Sequence, residues 1–309
     1  MPQNSPSFVQ FVPGLTNRPE FGEMFGGFLV AYNGQNLLID CGTVTGADNL
    51  VARLKDLLGE RPLDLVLLTH AHLDHAGGLS AIFGAWPEVK AVAHNKAISH
   101  LVNPTKLWQG TQKVMGELAA MYGRPEGVNP ERLISHETFT QPGFKVLETP
   151  GHAPHHLSYG LGETMFCGEA VGCPYYWGSR FYSRPATPPR FYPDPTFASL
   201  EKLLKESPRA AYFAHTHEKG PLIEAILAYR RQLKLWDEIL RSAFHGRSPS
   251  SDSEVLLTQL TDRLFQLDPE LSPLLALDEE TLKVEKYFMR NSAAGFLGYY
   301  AEKEATKQA

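Results

Sequence analysis

Short apolar runs alternate with amphipathic stretches of helical length over the first two thirds of the chain. The runs, which are typical of strands, occupy residues 7–12, 28–32, 36–40, 63–69, 89–94, 144–148, 157–160, 165–167 and 210–214. Residues 48–58 instead place leucines on one helical face, and residues 104–122 predict a long helix. The pattern predicts an α/β (α+β) fold, in which the continuous run at 63–69 is a strand buried on both faces.

The pattern of residue types changes after residue 172. Prolines and aromatic residues alternate over residues 173–195, which predicts an ordered aromatic loop. From residue 221 the pattern is helical to the end. We therefore predict a first domain at 1–221 and a helical extension at 222–309 that packs on it. The apolar stripes of the extension fit a cover over the first domain, a pocket lid or a homodimer face.

Composition narrows the class of protein. The 309 residues are 43% hydrophobic and 20% charged, with a formal net charge of −5 and three cysteines. The acidic balance does not favour a nucleic-acid partner, and no run reaches the roughly 20 apolar residues of a membrane span. The N-terminal residues lack a secretory pattern and the cysteines are sparse, so a cytoplasmic location without membrane association is expected.

Four potential metal ligands follow the most apolar run, Leu65 to Leu68. They are His70, His72, Asp74 and His75, and Gly77-Gly78 comes next. His70 and His72 point the same way on an extended strand end, and a turn brings Asp74 and His75 after them. Imidazole and carboxylate ligands together suit zinc, iron or manganese.

Three more candidates stand directly after predicted strands. His152 lies in Thr-Pro-Gly-His, Glu169 in Phe-Cys-Gly-Glu, and His215 in Phe-Ala-His. Each alone is more often a loop residue than a ligand. Together they form an arrangement in which one sheet edge delivers ligands from several strands.

These motifs resemble those of the metallo-β-lactamase superfamily. H-x-H-x-D-H is present at residues 70–75, and TPGHAPHH, FCGEAV and AHTH match later motifs, so that the resemblance covers about residues 8–220. It implies a four-layer αββα sandwich with two divalent metal ions at one edge. The chain is also similar to a branch with Gly-Glu in place of Gly-Asp and a helical C-terminus.

The resemblance also implies the ligands of each metal. His70, His72 and His152 would bind the first ion, and Asp74, His75 and His215 the second, with residue 169 as the bridge. Zinc is expected first, with iron or manganese as alternatives. Glu169 departs from the family aspartate by one methylene, so it either bridges, binds one ion or weakens the second site. His217 is the alternative to His215.

The implied chemistry is hydrolysis of an ester, thioester or lactone of a small molecule by a metal-bridging hydroxide. Asp74 is the expected catalytic residue, which orients the nucleophile or takes its proton. Two alternatives stay open: an iron-dependent redox enzyme such as a persulfide dioxygenase, and a non-catalytic ligand sensor that keeps the metals.

Residues around this motif set are weaker candidates. Asp40 is expected to fix an imidazole, and His155 to be structural. Cys173 either lies near the metals or is a packed thiol. Arg184 either holds a substrate anion or lies in solvent. The residues expected to line a substrate pocket are Trp108, Met115, Tyr175, Tyr176 and Arg190.

Overall fold

A computed structural model describes residues 5–14, 23–177, 180–189, 191–244 and 253–308. The chain forms two compact units. The first comprises Met1–Glu148, Pro154–Gly168 and Pro208–Lys219, and the second comprises Thr149–Ala153, Glu169–Ser207 and Gly220–Ala309. Both units are built from several stretches of chain. The boundary predicted between residues 221 and 222 stays a prediction.

The first unit contains two sheets. The larger has the order β1-β2-β3-β4-β5-β6, and the smaller the order β12-β9-β8-β7. The larger sheet consists of β1 (Phe8–Pro13), β2 (Gly26–Tyr32), β3 (Gln35–Ile39), β4 (Leu65–Leu67), β5 (Lys90–Ala93) and β6 (Leu133–Ser135). The smaller consists of β7 (Phe144–Glu148), β8 (Leu157–Leu161), β9 (Thr164–Phe166) and β12 (Ala210–Tyr212). Strands β3 to β6 pair in parallel, so their carboxyl ends share one edge.

Apolar side chains fill both faces of the larger sheet. One core cluster joins its strands to the smaller sheet, through residues such as Val30, Leu67 and Tyr159. The other cluster packs the opposite face against helices, with Leu50 and Ile82 at 0% exposure. Strand β4 is therefore buried on both faces, as its unbroken apolar run predicts.

Six α-helices belong to the described part of the first unit. They are α1 (Ala47–Leu58), α2 (Leu73–Ala76), α3 (Leu79–Ala85), α4 (Asn95–Val102), α5 (Thr105–Met115) and α6 (Ala119–Tyr122). The long helix predicted at 104–122 is wrong in one respect. It breaks at Gly116, whose φ of 57° is left-handed, and a short 3₁₀ turn separates α5 from α6.

The second unit combines a hairpin with long helices. Strands β10 (Cys173–Trp177) and β11 (Arg180–Arg184) pair antiparallel, followed by α7 (Pro193–Glu206), α8 (Leu222–Phe244), α9 (Ser253–Leu267) and α10 (Glu279–Gln308). The prediction of an aromatic loop over 173–195 is therefore wrong in its secondary structure, because Tyr175 and Tyr176 pair with Tyr182 and Phe181 across the hairpin and Pro193 begins α7. The helical pattern after residue 221 is confirmed in the described residues. Among them, none of the helices is both long and apolar enough to cross a membrane.

Candidate metal centre

The motif segment begins where β4 ends and turns directly into α2. His70 follows the strand, and His72 is the N-cap residue of α2, which carries Asp74 and His75 in its single turn. Gly78 lets this turn approach the loop after β3, because a Cβ at this position would lie 2.2 Å from the Cys41 carbonyl oxygen. A rigid strand end and a close-packed turn therefore hold the four side chains.

Asp40 anchors this segment from the end of β3. Its Oδ1 accepts the Thr69 backbone N–H at 2.7 Å, and its Oδ2 accepts the Thr69 hydroxyl at 2.8 Å and His75 Nδ1–H at 2.8 Å. Asp40 is 7% exposed and has a left-handed φ of 59°. The expectation that Asp40 fixes an imidazole is met at His75, whose Nε2 is left with the lone pair that a metal needs.

The same network fixes the proton of His70. Its Nδ1 lies 3.0 Å from Thr69 Oγ1. Because the Thr69 hydroxyl donates its own proton to Asp40, it can only accept from His70. His70 Nε2 therefore carries a lone pair, and it lies 2.9 Å from His72 Nδ1. Two nitrogens of the motif thus converge on one point.

His215 joins Asp74 and His75 from the loop after β12. Its Nδ1–H is donated to the Met24 carbonyl at 3.3 Å, which leaves Nε2 with the lone pair. Asp74 Oδ2 lies 3.7 Å from this Nε2 and 3.6 Å from His75 Nε2. One ligand atom from each of the three residues lies within 4.8 Å of the others. This geometry can hold a divalent ion.

His217 is placed differently. It is exposed, its ring stacks on Phe11 at 4.5 Å between centroids, and its Nε2 donates to the Glu23 carbonyl at 3.1 Å. Of the two histidines weighed in the sequence, the geometry favours His215.

The second unit carries the other two predicted ligands. His152 donates Nδ1–H to the Ala186 carbonyl at 3.0 Å, so its Nε2 has the lone pair. That Nε2 lies 2.9 Å from Glu169 Oε2. In the neutral form of the ring, this nitrogen and the carboxylate oxygen both present lone pairs, which is the donor set that a divalent cation satisfies. The other Glu169 oxygen, Oε1, faces Cys173 Sγ at 3.5 Å.

The proton assignment is the same at four imidazoles. His70, His75, His152 and His215 each give their Nδ1 proton to an oxygen of the protein and keep an Nε2 lone pair. An outer oxygen that fixes the tautomer is the usual environment of a metal-binding histidine. The residues present therefore fit divalent metal ions.

A third histidine cluster, missed in the sequence, has the opposite proton assignment. His94, His136 and Glu148 lie at the ends of β5, β6 and β7, and their ligand atoms are within 4.8 Å of one another. Here His136 Nδ1 accepts the Asn95 backbone N–H at 3.2 Å, and His94 Nδ1 accepts the Lys96 N–H at 3.1 Å. Each neutral ring must then carry its proton on Nε2.

These Nε2 protons face the Glu148 carboxylate. His136 Nε2 lies 3.1 Å from Oε1, and His94 Nε2 lies 3.7 Å from Oε2. Burial, followed by the neighbouring His136, lowers the pKa of His94. Both ring N–H groups therefore face one carboxylate, to which His136 donates a hydrogen bond, and the cluster is not prepared for a metal. The sequence signal was present, since both histidines directly follow parallel strands.

Several predictions around the site concern packing. His155, expected to be structural, is buried, and its Nδ1 accepts the Ala71 N–H at 3.4 Å. Gly168 has a φ of 54°, and a Cβ there would lie 2.6 Å from His156 Nε2. A glycine is thus required before Glu169.

Arg184 was expected to hold a substrate anion or to lie in solvent, and both expectations are wrong. Arg184 is 4% exposed, and its Nε donates to Glu285 Oε2 at 2.9 Å.

The proposed pocket residues lie in different surroundings. Trp108 and Met115 are half-buried on α5, and Tyr175 stacks on Tyr182 at 5.4 Å between ring centroids. Arg190 and the side chain of Tyr176 lie outside the described residues. A substrate role for these five stays a prediction. A small concavity beside Asp74, His75 and His215 is lined by others, among them Phe11 and Met24.

A family model described as the metallo-beta-lactamase superfamily matches residues 27–215. This protein belongs to that superfamily. The matched region contains every predicted metal ligand. Family membership, together with the histidine and carboxylate groups described above, supports a metal-dependent hydrolase that uses divalent metal.

Individual relatives are distant. A metallo-beta-lactamase fold-containing protein of Sulfurisphaera tokodaii is 28% identical over 213 residues, which is 66% of this chain and 77% of that protein. A hydroxyacylglutathione hydrolase of Xylella fastidiosa is 26% identical over 164 residues, or 52% of this chain, and the match spans only about half of that enzyme, 51%. The crystal structure of an archaeal superfamily protein from Sulfolobus tokodaii shares the fold, with a TM-score of 0.62, 21% identity and coverage of 86% of this chain and 98% of that one.

Proposed function

We propose that this protein is a metal-dependent hydrolase that cleaves a small-molecule thioester, with esters and lactones as the neighbouring substrate classes. One observation carries the proposal: four imidazoles give Nδ1–H to protein oxygens and keep Nε2 for a ligand. A hydrogen-bonded surface histidine has no need of this common assignment, whereas a histidine that binds metal through Nε2 must carry its proton on Nδ1.

The proposed ligands are those that the motifs predict. His70, His72 and His152 hold one ion, Asp74, His75 and His215 hold the other, and Glu169 supplies a carboxylate oxygen to the centre. Zinc is the proposed metal, because imidazole and carboxylate ligands suit it and it needs no redox partner. When bound, the ions supply a hydroxide at neutral pH and polarise the scissile carbonyl.

Asp74 is the proposed catalytic residue. Its Oδ2 stands between two imidazole nitrogens, 3.6 Å from His75 and 3.7 Å from His215. A carboxylate in this position accepts a proton from the attacking water. It also orients that water, so that the lone pair of the water oxygen points at the carbonyl carbon. Asp40 holds the His75 ring in place while the charge at the centre changes.

The substrate class is taken from chemistry and from the relatives. Hydroxyacylglutathione hydrolases, whose name describes cleavage of an acyl thioester, recur among the matches. A small molecule is the proposed partner, without nucleic acid, in keeping with the net charge of −5. The homodimer and the cytoplasmic location stay predictions.

The test combines metal analysis with a matched pair of variants. Protein purified without added metal or chelator is analysed for metal per chain and assayed on an acyl-glutathione thioester, an aryl ester and a lactone. Wild type is expected to carry about two zinc ions and to hydrolyse the thioester. His215→Ala is expected to lose about one ion and at least about 100-fold in rate, because it removes a ligand of the hydroxide-generating centre. His217→Ala, two positions away, is expected to keep the metal content and the hydrolysis rate of wild type.

Fully metallated wild type that hydrolyses no member of the panel would contradict the proposal. Iron in place of zinc, with oxygen uptake on a persulfide, would identify a redox enzyme instead. A His72→Ala variant that binds ligand like wild type, with no turnover in either protein, would identify a sensor.

A further inference from the structure

The longer carboxylate at position 169 has a companion four residues later. A tight turn closes when the Gly172 N–H donates to the Glu169 carbonyl at 3.1 Å, and Gly172 supplies the left-handed φ of 72° that this turn requires. The turn brings Cys173, the first residue of β10, back over the Glu169 side chain. Its Sγ lies 3.5 Å from Glu169 Oε1.

The two oxygens of Glu169 therefore have different partners. Oε2 lies 2.9 Å from His152 Nε2, on the side of the predicted ligands, and Oε1 faces the thiol. A thiol can donate to a carboxylate, as a weak donor to a charged acceptor. A glutamate has one more rotatable bond than an aspartate, and a contact at Oε1 removes the freedom that this bond adds.

The position of Cys173 is itself fixed. Its side chain is 0% exposed, and it pairs with Arg184 across the hairpin. Tyr229, also 0% exposed, packs so close to the turn that a Cβ on Gly172 would lie 3.1 Å from its ring. The thiol and the turn are both enclosed by the second unit, whose packing places Sγ against Glu169.

We propose that Cys173 is a positioning residue that holds Oε1 of Glu169, so that the glutamate offers a single oxygen, Oε2, to the metal centre. This inference rests on the proposed function only in that the centre binds metal. The Glu-Ala-Val-Gly-Cys segment would then be a unit, in which the cysteine compensates for the methylene that distinguishes Glu169 from the family aspartate.

The test measures metal affinity and coordination, without turnover. Chelator-stripped protein is titrated with Co²⁺, and both the affinity for the more weakly bound ion and the visible absorption spectrum are recorded. Cys173→Ala is expected to weaken that affinity about 10- to 100-fold, the usual effect of losing an outer partner of a ligand. Its spectrum is expected to change, because Glu169 becomes free to coordinate through both oxygens. Cys173→Ser keeps a hydrogen-bond donor, so it should recover part of the wild-type Co²⁺ affinity and part of the wild-type spectrum.

Two controls separate positioning from packing. Cys167→Ala removes another thiol of 0% exposure, whose pKa is raised by burial alone, and should leave the cobalt spectrum unchanged. In a double-mutant cycle, Cys173→Ser should affect the affinity in wild type and have almost no effect once Glu169→Asp has withdrawn the carboxylate. A purely structural cysteine would give the same effect on both backgrounds.

The inference is overturned if Cys173→Ala binds Co²⁺ with the affinity and spectrum of wild type, or if the cycle shows no coupling. Should Cys173→Ala fail to fold, the cycle with Cys173→Ser still decides. The outcome is separable from the proposed function. Protein that binds metal but cleaves no thioester would refute the hydrolase and leave this measurement intact.

Discussion

Asp40 combines three hydrogen bonds in one buried carboxylate. The Thr69 N–H, the Thr69 hydroxyl and His75 Nδ1–H all donate to it. Through Thr69, the same carboxylate also decides which nitrogen of His70 carries a proton. A residue outside the proposed ligand set therefore determines the lone pairs of two proposed ligands.

Replacement of Asp40 by asparagine should weaken metal binding. If the amide oxygen keeps the Thr69 N–H, the NH₂ group faces His75 Nδ1–H, donor against donor, so His75 loses the acceptor that holds its proton on Nδ1. We expect Asp40→Asn to lower zinc affinity about 10- to 100-fold, measured by competition with a chromophoric chelator. Asp48→Asn, an exposed position in α1, is the matched control. Equal affinities of the two variants would show that Asp40 does not set the ligand geometry.

Sequence was most informative at this scale where residue type and spacing carried the chemistry. The H-x-H-x-D-H run and the histidine after β12 come together within the first unit as expected. Arg184 was misjudged, because its partner Glu285 is 101 residues away and no local pattern announces a buried pair. Likewise, the direction of the backbone N–H groups at His94 and His136 depends on strand ends that the sequence locates only approximately.

Among the elements, α4 begins on a titratable cap. His94 Nδ1 accepts the Lys96 N–H at the helix N-terminus, while Nε2–H faces Glu148. The groups around the ring are His136, Glu148, Lys96 and Asn95, and burial is the largest cause of the lowered pKa of His94. A protonated ring would direct a second N–H at the Lys96 N–H, so the cap works only when His94 is neutral.

Acid should therefore destabilise the protein through His94. The folded-state pKa lies below the unfolded value of about 6.5, so the unfolded state binds more protons as pH falls through this region. The stabilisation is complete above pH 6.5 and is lost below it. Asparagine caps a helix without titrating, so the stability of His94→Asn relative to wild type should rise from pH 7.5 to pH 5.5.

The measurement is urea unfolding in the presence of chelator at both pH values. His217→Asn replaces an exposed histidine away from this helix cap and serves as the control. An identical pH dependence of His94→Asn and wild type would contradict the assignment of a neutral cap.

On the scale of the whole molecule, the second unit is stabilised by polar contacts between segments far apart in sequence. Arg184 and the Tyr182 hydroxyl both donate to Glu285 Oε2, at 2.9 and 2.6 Å. Trp236 Nε1–H donates to Asp268 Oδ2 at 2.8 Å in the same unit. The hairpin and the C-terminal helix are thus tied together through groups that water does not reach.

Loss of Glu285 should cost far more than loss of a surface ion pair. Glu285→Ala leaves Arg184 and the Tyr182 hydroxyl buried without their acceptor, and we expect a loss of about 3–5 kcal/mol in the free energy of unfolding. The double replacement Arg184→Met with Glu285→Met should recover most of it. Arg209→Met, which breaks a pair with an 81% exposed arginine, should cost less than about 1 kcal/mol. The free energy of unfolding of each variant is measured by urea denaturation. Similar losses for Glu285→Ala and Arg209→Met would contradict the prediction.

At this scale the fold class was predictable, whereas no sequence pattern reports which stretches of chain pack into one compact unit. Alternating apolar runs identify the sheets, and Asn33-Gly34, a dipeptide typical of hairpin turns, joins β2 to β3. The compact units instead interleave stretches of sequence, since Thr149–Ala153 and Glu169–Ser207 belong with the C-terminal helices. Long-range packing of this kind leaves no periodicity in the chain.

The opposite proton placements at the two kinds of histidine cluster matter most when metal ions are scarce. In a chain with several histidine clusters of equal metal affinity, a limited supply of ions would be distributed among them, and each cluster would be only partly occupied. Here His94 and His136 keep their Nε2 protons, so an ion arriving there must first force a change of tautomer against two backbone N–H groups. The first ions taken up would therefore go to the centre that needs them, and the direction of two peptide bonds would decide the order of filling.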